Sequence, residues 1–78
     1  MNISNRLQNI FRDIFDDESI VLTRNSSPGD IEDWDSLAQV NIIVACESEF
    51  GVKFDMNDIT GIRNAGNMID LIERKLKQ

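Results

Sequence analysis

The 78-residue chain contains no histidine and no tyrosine, and only one cysteine, one proline and one tryptophan. Without an imidazole there is no Ser-His-Asp triad, and the usual Cys/His set for zinc is missing. Cys46 alone cannot close an internal disulfide. No apolar run approaches the roughly 20 residues of a membrane span. The opening Met1-Asn2-Ile3-Ser4-Asn5-Arg6 lacks the basic, apolar and small-residue regions of a secretory signal, so the cytoplasm is the expected location.

What is present describes one small folded domain over residues 1–78. Apolar residues make up 41% of the chain and charged residues 28%, a balance that fits a globular protein and not a disordered one. A core of this size leaves only a modest stability margin. The net charge of −6 is unevenly placed: residues 13–58 hold 12 acids against Arg24 and Lys53, while both ends are slightly basic. An acidic middle repels a phosphate backbone, which argues against nucleic acid and for a basic protein surface as partner. The alternative is a charged face that confers solubility only.

Ile3, Leu7, Ile10, Phe11, Ile14 and Phe15 recur at helical spacing and predict a first helix over about residues 3–16. Asp16-Asp17-Glu18 is unfavourable at a helix C-terminus and should end it. A long connection, about 17–35, contains the turn-forming Ser26-Ser27-Pro28-Gly29-Asp30. Ile20, Val21, Leu22 and Ile31 are expected to pin it to the core. A second helix runs from Asp35 or Ser36 to Phe50, stopped by Gly51, with Val40, Ile42, Ile43, Cys46 and Phe50 on its core side. Leu37, Ala38, Val44 and Ala45 fall opposite, beside Asn41 and Ser48, which suggests a partner surface. Val52-Lys53-Phe54 reads as an extended link, and residues 55–59 as a capped single turn. The last helix starts near Asn64 or Ala65 and uses Ala65, Met68, Ile69, Ile72 and Leu76 as its core face. The expected fold is all-α, three main helices and one short helix in a small bundle.

Ser36 is the residue on which function turns. Ser36-Leu37-Ala38-Gln39 matches a capping box, in which the serine oxygen accepts a backbone N–H and the glutamine reaches back. Asp35 is an equally good cap one residue earlier, and if it caps, the Ser36 hydroxyl is free. With no base at hand such a hydroxyl is an acceptor and not a nucleophile that activates itself. A transferase with its own machinery can place a phosphoryl-linked group there, at a helix end that favours anions. Asp30, Glu32, Asp33 and Asp35 do not fit the spacing of a calcium loop. Cys46 reads as a small core residue, Met56 and Met68 as filling or docking residues, and Trp34 as a staple against Ala38 or a neighbour.

Trp34-Asp35-Ser36-Leu37, then Val40 and Ile43, Glu47-Ser48-Glu49-Phe50-Gly51-Val52 and the Asn64-Ala65 helix start together resemble the acyl carrier proteins and related carrier domains. The resemblance covers essentially the whole chain, long loop included. It implies that Ser36 carries 4′-phosphopantetheine attached by a phosphopantetheinyl transferase, with acyl groups held as thioesters on the arm by a monomer that itself catalyses nothing. Asp35 then assists recognition and helix capping, and Leu37 flanks the attachment site beside the arm. Leu37 and Val44 meet the acyl-loading and acyl-processing enzymes, Glu47 meets their basic residues, and Ile62 borders both partner and acyl cavity. Cys46 and its apolar neighbours are implied to line that cavity.

Relatives that serve primary fatty-acid synthesis often carry acids where this chain has Ala38, Asn41 and Ser48, so its acidic stripe is thinner. The Trp34 form is similar to stand-alone carriers of specialised pathways, such as polyketide, lipid or glycan modification. Two alternatives stand beside this reading: an aminoacyl or peptidyl carrier, and a non-carrier acidic helical docking module with Ser36 as a cap only.

Overall fold

The computed structural model describes residues 2–77, leaving Met1 and Gln78 of the expected 1–78 domain outside the described residues. Four helices follow in chain order: α1 (Ile3–Phe15), α2 (Ser36–Phe50), α3 (Met56–Thr60) and α4 (Ala65–Leu76). The three long helices and one short one are the expected set. Each begins on a side chain that satisfies its first free amides: Asn2, Asp35, Asp55 and Asn64 all accept from a backbone N–H one turn on.

α1 stops where expected. Asp16 adopts the left-handed conformation, φ 49°, and its amide donates to the Arg12 and Asp13 carbonyls. α2 ends on Gly51, also left-handed at φ 67°, a conformation that costs glycine nothing.

The core sits where α1 packs against both α2 and α4. Leu7, Phe11, Ile42, Cys46, Met68 and Ile72 are its largest fully buried members. Phe11 meets Trp34 edge-on at 4.9 Å between ring centroids and Phe15 at 5.8 Å. Trp34 thus does fasten the entry to α2, against Phe11.

Four sequence assignments change. Val40 is exposed and Ala38 is buried, the reverse of their expected faces. The buried stripe of α2 is Ala38, Ile42, Ile43, Cys46 and Phe50, and at 100° per residue Val40 lies about 120° from its centre. On α4, the terminal Leu76 is exposed, whereas Leu71 is buried on the side that faces Gly61-Ile62. In the long loop Ile20, Leu22 and Ile31 pack against the core, but Val21 is exposed because neighbours in an extended run point opposite ways.

The first half of the 17–35 connection is held to α1 and α4 by hydrogen bonds. Arg12 Nε–H donates to the Ile20 carbonyl (2.8 Å), and the Leu22 amide donates to Gln8 Oε1 (2.9 Å). Further along, the first amides of α4, Ala65 and Gly66, donate to the Ser26 and Arg24 carbonyls, each at 2.8 Å. Gly66 permits this approach: a Cβ there would lie 2.8 Å from the Arg24 carbonyl oxygen. The loop therefore closes over the start of α4 and delivers Trp34-Asp35-Ser36 to the top of α2.

Candidate functional site

Two adjacent residues compete for the cap of α2, and the backbone decides between them. Asp35 is extended, φ −109° and ψ −170°, and its Oδ1 accepts the Ala38 amide at 2.9 Å. Ser36 is therefore the first helical residue, and the capping-box reading of Ser36 with Gln39 is overturned. Gln39 turns elsewhere, its Oε1 accepting the Trp34 Nε1–H. Ser36 is left exposed, with no hydrogen-bond partner for its hydroxyl among the described residues.

The hydroxyl opens onto a cleft of about 460 Å³ whose walls include Trp34, Ser36, Val40, Ile59, Ile62 and Arg63. That volume lies within the range of small-molecule sites. Ile62 stands in this wall. Cys46 does not: it is buried in the core with its Sγ 3.9 Å from Met68 Sδ. Burial, with smaller contributions from Glu47 and Glu49, pushes the Cys46 thiol up to about 12, so it stays protonated and unreactive. Cys46 is thus the small core residue that its place on the helix predicted.

The far wall is set by α3. Asp55 and Asp58 form a reciprocal capping box, and Lys75 Nζ of α4 lies 2.8 Å from Asp58 Oδ2. The Lys75 hydrogen bond, with the Asp55 amide, holds the Asp58 carboxyl below the usual carboxylate range. Ile62 follows, its amide donating to the Ile59 carbonyl.

On the outer face of α2, Leu37 (73% exposed), Val40 (58%) and Val44 (58%) form one row at spacings of three and four. The two carboxylates nearest the end of α2 are committed internally. Glu47, half-buried, accepts the Phe54 amide at 2.9 Å, and Glu49 pairs with Arg6 at 2.8 Å. Arg6 also lies over the Phe50 ring, 4.5 Å from its centroid. Glu32 and Asp33, just ahead of Ser36, are exposed and make no ion pair among the described residues. Among the described residues no group of three or more Cys, Asp and Glu is arranged to hold a metal, and no helix is long and apolar enough to cross a membrane.

Sequence reading did not single out Val40, Ile59 or Arg63 for this site. Ile59 and Arg63 reach Ser36 only through the fold, since 23 and 27 positions separate them from it along the chain. The one available signal was Arg63 as an isolated base just before the last helix.

A family model described as a phosphopantetheine attachment site matches residues 5–72. An acyl carrier protein of Thermotoga maritima is 45% identical over 42 residues, a match covering 54% of this chain and 52% of that protein. The chain thus matches about half the length of that curated relative. The solution structure of a holo acyl carrier protein from Geobacter metallireducens is similar with a TM-score of 0.91 and 43% identity, over 99% of this chain and 88% of that one.

Proposed function

Since the chain belongs to the phosphopantetheine-binding acyl carrier family, we propose that Ser36 is its attachment point and that it carries acyl groups between biosynthetic enzymes. The observation that supports this most is the division of labour at the top of α2: Asp35 caps the helix, so the Ser36 hydroxyl stands free at the mouth of an apolar cleft. Those residues fit a phosphopantetheine arm. The hydroxyl supplies the ester oxygen, the N-terminus of α2 favours the phosphate, and Val40, Ile59 and Ile62 offer apolar surface to an amphipathic chain. When bound, the group supplies a thiol that carries cargo as a thioester. The protein's own residues hold and present it. Ser36 gives up its proton to the base of a phosphopantetheinyl transferase, because no base among the described residues is hydrogen-bonded to it.

Acyl-loading and acyl-processing enzymes dock, in this reading, on Leu37, Val40 and Val44, with Ile62 beside the cleft. Asn41 and Ser48 leave the exposed face of α2 uncharged along much of its length. That surface suits partners of a specialised lipid or polyketide pathway, which read apolar contact there more than an acidic stripe. Glu47, with one oxygen on Phe54, contributes less to docking than its place in the sequence suggests.

Coexpression with a broad-specificity phosphopantetheinyl transferase is expected to add one phosphopantetheinyl mass to the protein, and Ser36→Ala to abolish the addition. Wild-type protein that stays unmodified under those conditions would sink the proposal.

A further inference from the structure

A phosphodiester on Ser36 would sit in an unfavourable field. The Asp35 carboxylate is the adjacent residue, and Glu32 and Asp33 are exposed just before it, in a chain of net charge −6. Unit charges of like sign a few ångströms apart repel by about 1 kcal/mol in water and by more beside a low-dielectric wall. One cation borders the same cleft, Arg63.

Arg63 is suited to answer that field. Among the described residues the three ion pairs use Arg6, Arg24 and Lys75, and the Arg12 guanidinium is engaged by the Ile20 carbonyl. The Arg63 side chain has no such partner. Its backbone is nevertheless fixed, the amide donating to Asn67 Oδ1 at 3.0 Å at the entry to α4. A guanidinium on an anchored backbone, beside an apolar wall, presents a planar fork that matches phosphate oxygens.

We infer that Arg63 is the anion-binding residue of the Ser36 cleft, pairing its guanidinium with the phosphodiester that joins the arm to Ser36. It is a positioning residue: it offsets the neighbouring carboxylates and keeps the base of the arm at the cleft. The inference rests on Ser36 being the attachment point.

The test compares apo and holo forms of wild type and Arg63→Gln by phosphorus NMR and by the Arg63 Nε–H resonance, with intact mass reporting the arm on each sample. Three holo samples are used: free thiol, acetyl and succinyl. The Arg63 resonance is expected to shift on going from apo to the free-thiol holo form. The phosphorus resonance of Arg63→Gln should differ from wild type, with the difference fading in molar salt as the pair is screened. Arg63→Lys, which keeps the charge without the fork, should retain part of that salt-sensitive difference. An Arg63 signal that does not respond to the arm, or responds only to the succinyl carboxylate, overturns the inference, as does a phosphorus resonance indifferent to Arg63→Gln. Absence of added mass on wild type would instead remove the attachment site itself. Arg63 is exposed, so the variants are expected to fold, and amide spectra of the apo forms check this.

Discussion

Asp35 and Ser36 are neighbours with interchangeable capping chemistry, and their roles separate on a single torsion. Asp35 is extended and outside the helix, so its carboxylate can reach back to the Ala38 amide; Ser36 is already helical. Removing the cap by Asp35→Ala should cost about 1 kcal/mol of stability. Ser36→Ala removes no hydrogen bond and places a good helix former at a first-turn position, so its effect should stay within about 0.5 kcal/mol. Urea denaturation of the two apo variants measures both. A docking module with Ser36 as its cap requires the opposite ranking. Both residues were visible in the sequence as candidate caps. The choice was not, because S-x-x-Q and an aspartate one position earlier satisfy the same amides equally well on paper.

α3 shows how an element without a core of its own is kept in place. None of its five residues is buried, and a single short turn has little intrinsic stability. It is held by its capping box, by partly buried Ile59, and by the Lys75–Asp58 pair that ties it to α4. Because Asp58 titrates below its ordinary value when folded, its contribution is fully present above the unfolded carboxylate pKa, near about 4. It is lost as pH falls through the folded value. The stability gap between wild type and Asp58→Asn is therefore expected to be flat from neutral pH to about pH 5 and to shrink below about pH 4, as read by urea titrations across that range. A gap that grows on acidification contradicts the pairing. The turn and its cap were legible from Asp55-Met56-Asn57-Asp58-Ile59. The brace from Lys75 was not, since nothing in a helical repeat tells which residue of another helix will lie opposite. The same blindness misplaced Val40 and Ala38: the spacing of apolar residues defines a stripe, but its centre depends on what packs against it.

At the scale of the whole molecule, the acidic character read from the sequence proves to be unevenly available. Glu49 faces Arg6, Glu47 serves the Phe54 amide, Asp58 faces Lys75 and Asp70 faces Arg24. Asp30 accepts from the Ser27 amide and hydroxyl in an exposed local turn. Of the acids near Ser36, Glu32 and Asp33 are exposed and have no ion pair among the described residues, so the most accessible negative charge beside Ser36 lies ahead of α2. The overall count of charges was readable from composition, whereas their internal commitments required the fold. A transferase approaching Ser36 with a basic surface should accordingly be steered by the loop. Neutralising both acids in Glu32→Gln/Asp33→Asn is expected to lower kcat/KM for phosphopantetheine transfer about three- to tenfold at low ionic strength. The deficit should close toward molar salt, where the screening length falls to about 3 Å. Glu49→Gln should leave the rate near wild type, because that charge already faces Arg6. Steady-state transfer rates across a salt series separate the two cases. If Glu49→Gln slows transfer as much as the double substitution, docking follows the length of α2 and the loop has no special part in it.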